Sequence, residues 1–379
     1  MRWSSTLSEK LATVDAVAEA AAATDAGLGG ARADLVVVFA SSTHTFGEIP
    51  RRLRDRFPHA RILGCSAGGV IGGGREAEGR PALSVTAASL PAVDLRSLHV
   101  RDGGELPTLE GSPHFVLLAD PFTCDIEGLV GALDEAYPEA RKVGGLASGG
   151  GTPGSTALFL DDETLDEGAV GMALGGDLAV DTVVAQGCRP IGQPLIITRC
   201  ERHVVQELGG RTPVVVLREL HESLSQRDRA LFRSALHVGI EMTDRQVEYR
   251  AGDFLIRNVL GVDPESGALA VGARPRRFQA LQFHLRDAAS ATEDLLACLE
   301  RRRVETGGVR PAGALLFSCL GRGERFFGRP NHDSDLFRER VGPVPLGGFF
   351  CNGEIGPVGP QTFLHGYTSS FALFRPAAT

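Results

Sequence analysis

The chain has 379 residues, of which 43% are hydrophobic and 23% charged, with a formal net charge of −8. That length exceeds one ordinary core and calls for two domains or more, while the composition is that of a globular protein and not a disordered one. The acidic balance argues against nucleic acid as a partner, since phosphate backbones call for a surplus of Lys and Arg on one face.

Basic runs do occur at 51–57 (RRLRDRF), 274–277 (RPRR) and 301–303, and in so acidic a chain they read as solvated helix faces and loops. No window approaches the ~18 uninterrupted apolar residues of a membrane span, so no membrane partner is expected. Residues 1–30 carry Arg2 but no apolar leader, because Glu9, Lys10, Asp15 and Glu19 interrupt the run. The seven cysteines form no CxxC pair, which predicts reduced thiols and a cytoplasmic setting.

In chain order, the spacing predicts an N-terminal segment, 1–33, built on an Ala-rich amphipathic helix over roughly 5–24. Short apolar β-type runs follow at 35–40, 83–88, 115–119, 157–160 and 178–185. After Gly209-Gly210 the pattern changes: Thr212-Pro213 opens a helix, another element starts at Gln226, and strands are expected at 254–259 and 281–285. Residues 287–305 have the best helical pattern of the chain. These elements define an α/β fold with mixed α+β sheets, divided near residue 210 into domains 34–210 and 211–379.

One regularity suggests duplication. "VVVFAS" (36–41), "FVLLAD" (115–120) and "ALLFSC" (314–319) are apolar strands ending in a polar residue. Each precedes a helix and then a glycine-rich strand, "ILGCSAGG", "VGGLASGG" or "LGGFFCNGE". The pairs Ser41–Gly64, Asp120–Gly144 and Cys319–Gly347 mark a repeated strand–helix–strand unit whose glycine turns should meet in space. Chance recurrence in an α/β chain is the alternative.

The chemistry-bearing residues cluster at these turns. Gly permits close backbone approach, so "GCSAGGVIGGG", with Cys65 and Ser66, reads as a turn that can cradle an anion. "GGGTPG" (149–154) has GxGxxG spacing but runs into a strand-like stretch, so no nucleotide cofactor is expected. Near the C-terminus, Cys351, Asn352, Glu354 and His365 lie within one strand–turn–strand stretch, which reads as a catalytic centre, a ligand pocket or an elaborate turn. A nucleophilic thiol needs a base, and His365 and Glu354 are candidates, but a packing role is the commoner fate of a cysteine.

The segment 319–333, "CLGRGERFFGRPNHD", starts at Cys319 and sets Arg322 and Arg325 around flexible glycines. An arginine there is expected to close like a gate on a bound carboxylate. Asn331-His332-Asp333 reads as a turn with helix-capping chemistry and not as a metal triple. Arg257 and Asn258, in "GDFLIRNVLGVD", complete the candidate set.

Taken together, "GCSAGGVI", "VGGLAS", "GDFLIRNVLGVD", "QFHLRDA", "CLGRGERFFGRPNHD" and "GFFCNGEIGPVG…FLHGYTSSFALF" resemble the FIST family. This family comprises signal-transduction proteins with paired N- and C-terminal FIST domains. The resemblance implies a stand-alone cytoplasmic sensor of an amino-acid-like or other small anionic ligand. With no kinase, cyclase or F-box segment recognised, output would pass to a separate partner protein. Arg322 or Arg257 would take a ligand carboxylate, with Asn352 and Glu354 on an amine. The alternatives are a Cys-dependent amidohydrolase or transferase using Cys351 or Cys319 with His365, and a haem-binding gas sensor.

Overall fold

The computed structural model describes residues 1–101, 104, 106, 108–242, 249 and 252–377. The chain forms two compact units, one of Met1–Val184 with Leu295–Thr379, the other of Ala185–Asp294.

The elements run as follows. First come β1 (Arg2–Ser8), α1 (Thr13–Gly27), β2 (Leu35–Ser41), α2 (Ile49–Arg56), β3 (Arg61–Ala67), β4 (Gly69–Gly72), β5 (Arg75–Glu78) and β6 (Leu83–Ser89). Next are β7 (Val93–Val100), β8 (His114–Ala119), α3 (Ile126–Ala136), β9 (Lys142–Leu146), β10 (Leu158–Leu160), β11 (Glu163–Leu165), β12 (Ala169–Gly176) and β13 (Ala179–Ala185). The second unit contributes β14 (Cys188–Glu201), β15 (Val204–Leu208), α4 (Pro213–Ser223), α5 (Gln226–Phe232), β16 (Leu236–Glu241), β17 (Phe254–Val262), β18 (Leu269–Val271) and β19 (Ala280–Arg286). The chain closes with α6 (Ala288–Glu305), β20 (Gly313–Cys319), α7 (Glu324–Phe327), α8 (His332–Val341), β21 (Leu346–Cys351), β22 (Glu354–Val358), β23 (Gln361–His365) and β24 (Ser369–Arg375). Residue 210 lies inside the second unit, between β15 and α4.

The N-terminus departs from expectation. Residues 2–8 do not belong to a helix; they form β1, paired antiparallel along β6 from Arg2↔Ser89 to Ser8↔Leu83. Ser4, Ser5 and Thr6 are poor helix formers, and Trp3 stacks on Phe374 at 4.7 Å, so tertiary packing decides the state. The Ala-rich helix begins only at Thr13.

The first unit uses one module three times. Parallel pairs β2–β3, β8–β9 and β20–β21 are each joined by a helical connection, through α2, through α3 and through α7 with α8, as the repeat predicts. Each pair brings a glycine opposite the fourth residue of its first strand: Val38↔Gly64, Leu117↔Gly144 and Leu316↔Gly348. A Cβ on these glycines would sit 2.0, 1.8 and 1.9 Å from the facing carbonyl oxygen, which excludes any other residue. The third equivalent is therefore Gly348, one residue beyond the Gly347 expected from spacing. Immediately past or at the end of the first strands, the N–H groups of Ser41, Asp120 and Cys319 donate to the carbonyls of Ala82, Gly168 and Thr368 at 2.9, 2.8 and 3.0 Å.

Each parallel pair lies at the centre of a six-stranded sheet: β1-β6-β2-β3-β10-β11, β7-β12-β8-β9-β22-β23 and β13-β24-β20-β21-β4-β5. The hairpin after each module's second parallel strand leaves its own sheet. β4–β5 joins the third sheet, β10–β11 the first and β22–β23 the second. Strand alternation gives each sheet an inner face, and all three contribute to one core. Phe39 stacks on Phe349 at 4.5 Å, and Phe317 meets Phe349 at 6.0 Å. Helices cover outer faces, with α1 and α2 packed on the first sheet through Val17, Ile49 and Leu53, and α3 on the second through Leu129 and Leu133.

The second unit is a closed barrel, β14-β15-β18-β17-β16-β19. The long strand β14 pairs with both β19 and β15. A register shift between Ile191 and Leu195 lets it bend there, as bulges do. Ile191, Val205, Val238, Val271, Phe283 and Leu285 belong to its apolar core.

Candidate functional site

The C-terminal ends of β3, β9 and β21 meet, as expected for the three glycine turns. Ser148 N–H donates to the Ser66 carbonyl at 3.2 Å, and Ser148 Oγ accepts from Gly68 N–H at 2.8 Å while donating to the Phe350 carbonyl. Asn352 donates through its N–H to Leu146 O at 3.2 Å and through Nδ2 to Ala147 O at 3.1 Å. Ends of parallel strands are where open α/β sheets place ligand crevices.

At this junction the third module breaks the pattern of the other two. Strand register makes Val70, Leu158 and Glu354 equivalent, because they face Phe349, Cys65 and Gly145. Two modules bury an aliphatic side chain there; the third buries a carboxyl with no exposed surface. Thr368 N–H donates to its Oε2 at 3.1 Å, and the Cys351 thiol to Oε1 at 3.5 Å, with the Cys319 thiol a further partner. Burial pushes this carboxyl up to about 8, against the pull of those donors and of Arg322, so Glu354 is chiefly an uncharged acid at neutral pH.

The thiols are the reverse of activated. Burial raises Cys65 and Cys351, and the Glu354 carboxyl raises Cys351 further, whereas a nucleophilic thiol has its pKa lowered. Cys351 also donates to the Ser318 carbonyl at 3.3 Å. His365 faces Glu354 across β22–β23, with Nε2 3.0 Å from the Gly356 carbonyl. Ser66 Oγ bridges module ends, donating to Ser148 O and accepting from Ala157 N–H, both at 3.0 Å.

The segment expected to gate the pocket is anchored. Arg322 is 1% exposed and grips Asp333 with Nε–Oδ2 at 2.9 Å and Nη2–Oδ1 at 3.0 Å. His332 Nδ1 lies 2.8 Å from Asp333 Oδ1, and the Ser369 hydroxyl donates to Oδ2. Burial alone would raise Asp333; Arg322, His332 and Ser369 outweigh it and hold the carboxyl well below its usual range. The His332 ring stacks on Phe327 at 3.4 Å. Arg325 is exposed on α7. Asn331, at φ 57°, occupies the cap position of α8, but its Oδ1 accepts from Glu76 N–H at 2.7 Å instead of capping.

Glu76 and Asp333 escape sequence reasoning. Glu76 accepts from Ser334 N–H and Oγ, both at 2.8 Å, and burial together with Asp333 pushes it up to about 7. Its only local signal is an acid on a short hairpin strand, REAE, that packs inward. Asp333 sits in the first turn of a helix, where acids are common for other reasons.

Arg257 and Asn258 belong to the other unit, on β17 of the barrel. Arg257 Nη1 donates to Ile256 O at 3.1 Å, and Asn258 is exposed. The barrel carries a cavity of about 470 Å³ beside them in the chain, lined by residues of β14, β15, β17 and β18. Its lining includes Val204, Val262 and Ala270, and its charged groups are Arg199, Glu207 and Asp263. Arg199 and Glu207 pair at 3.3 Å, while Ser266 hydrogen bonds and the Glu265 N–H hold Asp263 below its ordinary value and thus ionised. Among the described residues, no group of three or more His, Cys, Asp or Glu is arranged to hold a metal ion, and no helix is long and apolar enough to cross a membrane.

Three interlocked mixed sheets and a separate closed barrel define a two-part α+β architecture, and comparison with known proteins identifies it. Residues 34–211 match the FIST N domain and residues 215–357 the FIST C domain, so the chain belongs to the FIST family of signal-transduction and sensory proteins. It is 40% identical over 368 residues to an uncharacterized protein of Mycobacterium tuberculosis, covering 95% of this chain and 96% of that one. A Mycobacterium bovis protein, also uncharacterized, is 39% identical over 368 residues, covering 95% of each. Human F-box only protein 22 is 31% identical over 135 residues, covering 31% of this chain and 33% of that protein.

Proposed function

We propose that this chain is a small-ligand sensor of FIST type, acting in the cytoplasm, whose amino-acid-like ligand occupies the barrel cavity and whose signal passes to a separate protein partner. The observation that carries this reading is the presence of both charge signs beside apolar lining residues in about 470 Å³, a volume suited to a small metabolite. A zwitterion needs a cation for its carboxylate and an anion for its ammonium. Arg199 supplies the first, and Asp263 or Glu207 the second, while Val204 and Val262 take an apolar side chain. Arg322, the sequence candidate for the carboxylate, already holds Asp333. In this reading the junction is a structural pivot and the barrel is the ligand seat.

Titration calorimetry of the whole protein against the common amino acids and simple carboxylates tests it. At least one amino acid should bind, and Arg199→Gln and Asp263→Asn should each weaken it at least about tenfold, the size of one charge-assisted contact. Silence across the panel, or affinity that survives both changes, removes the proposal.

A further inference from the structure

We infer that Cys319 and Cys351 form a dithiol site that hydroperoxides oxidise to an intramolecular disulfide. The two residues are direct register partners in the parallel pair β20–β21. Neighbouring strands run about 4.8 Å apart, inside the roughly 4.4–6.8 Å Cα window that a disulfide spans. Both thiols reach the same carboxyl, Glu354, so both point to one side of the sheet. Neither other module carries a thiol at either place: Ser41 and Asp120 stand where Cys319 does, and Ala67 where Cys351 does.

The two cysteines differ as an attacking and a resolving thiol differ. Cys319 is half-buried, next to exposed Leu320, whereas Cys351 is fully buried. A peroxide therefore meets Cys319 first. Its sulfur attacks one peroxide oxygen, the O–O bond breaks, and the alkoxide leaves, taking up the thiol proton relayed through Glu354. The Cys351 sulfur then attacks the sulfenic sulfur of Cys319; the S–S bond forms, the S–OH bond breaks, and water leaves with the Cys351 proton. Two thiols lose two electrons, and the peroxide becomes an alcohol and water. Glu354 suits the relay because both thiols reach its carboxyl. Oxidation removes two thiol donors from Glu354 at the point where the three modules meet.

The test treats the whole 379-residue chain with a slight excess of hydrogen peroxide and maps its peptides without reduction. The expected product is a single Cys319–Cys351 link, with five of the seven cysteines still titratable. Cys351→Ser should stop at a sulfenic acid on Cys319 that dimedone traps, and Cys319→Ser should give neither product. Glu354→Gln should slow disulfide formation about tenfold or more, the scale of a lost proton-transfer group. The mapping on unmodified protein needs no variant to fold. A different pair linked, or seven thiols remaining after exposure, overturns the inference, as does dimedone labelling of Cys351 before Cys319.

Discussion

Arg322 and Asp333 meet fork to fork, at 2.9 and 3.0 Å, with side chains 0% and 3% exposed. Breaking such a pair strands a buried charge, whereas removing both charges does not. Arg322→Gln and Asp333→Asn should each cost about 3–5 kcal/mol in denaturant unfolding. Replacing the pair by Met and Leu together should cost less than the sum of the singles. Arg325→Gln, on an exposed side chain, should leave the midpoint unchanged. A melting temperature indifferent to Arg322→Gln would restore the gate expected from the sequence.

The three glycines facing Val38, Leu117 and Leu316 carry a second prediction. Alanine at Gly64, Gly144 or Gly348 drives a methyl into a carbonyl at 2.0 Å or less, so each variant should lose more than about 4 kcal/mol or fail to fold. Gly131, in α3, has nothing within 4 Å of a built Cβ; Gly131→Ala should gain about 0.5–1 kcal/mol. Equal melting temperatures for all four would refute the close approach.

Glu76 and Glu354 set a pH dependence. Both have folded-state values, about 7 and about 8, above the ordinary 4.5. Between pH 4.5 and those values the folded chain holds protons that the unfolded chain has released. Stability therefore falls as pH rises through this window, by about 1.4 kcal/mol per group per pH unit at most. Glu354→Gln should flatten the decline between pH 5 and 8 in thermal melts. Asp333 works oppositely, its stabilisation vanishing only under strong acid. A wild-type profile that climbs steadily from pH 5 to 8 would contradict the assignment.

Trp3 is the sole tryptophan, 6% exposed and stacked on Phe374. Its emission should be blue-shifted in the native protein and move to the red in the main unfolding transition, not before it. Trp3→Ala should cost about 3–5 kcal/mol. An early red shift, with circular dichroism still native, would mean that β1 frays independently.

What the sequence made legible followed from local pattern. Buried parallel strands are continuous apolar runs, so "VVVFAS", "FVLLAD" and "ALLFSC" declared themselves, and α6 stood out by its alternation of apolar and charged steps. β1 did not, because RWSSTLS borders an Ala-rich helix and acquires its strand state only from β6 and Phe374. The junction was readable as a cluster near Cys351, but not its partners. Glu76 reaches Ser334 across 258 positions, and no periodicity encodes such a contact. Arg322 looked free because its anion stands in a helix's first turn, where an aspartate has an innocent explanation.

The traffic of hairpins among the sheets has a consequence for how the molecule can come apart. Every module lends two strands to one neighbour and borrows two from the other, and the loans form a ring. Cutting out any one module leaves a second sheet missing its edge and a third module's hairpin with nowhere to dock. The first unit thus has no smaller self-sufficient piece, and partial proteolysis should yield the whole of it or nothing. In the chain the barrel enters between β13 and α6, outside the ring of loans, so its strands neither lend to nor borrow from the three sheets.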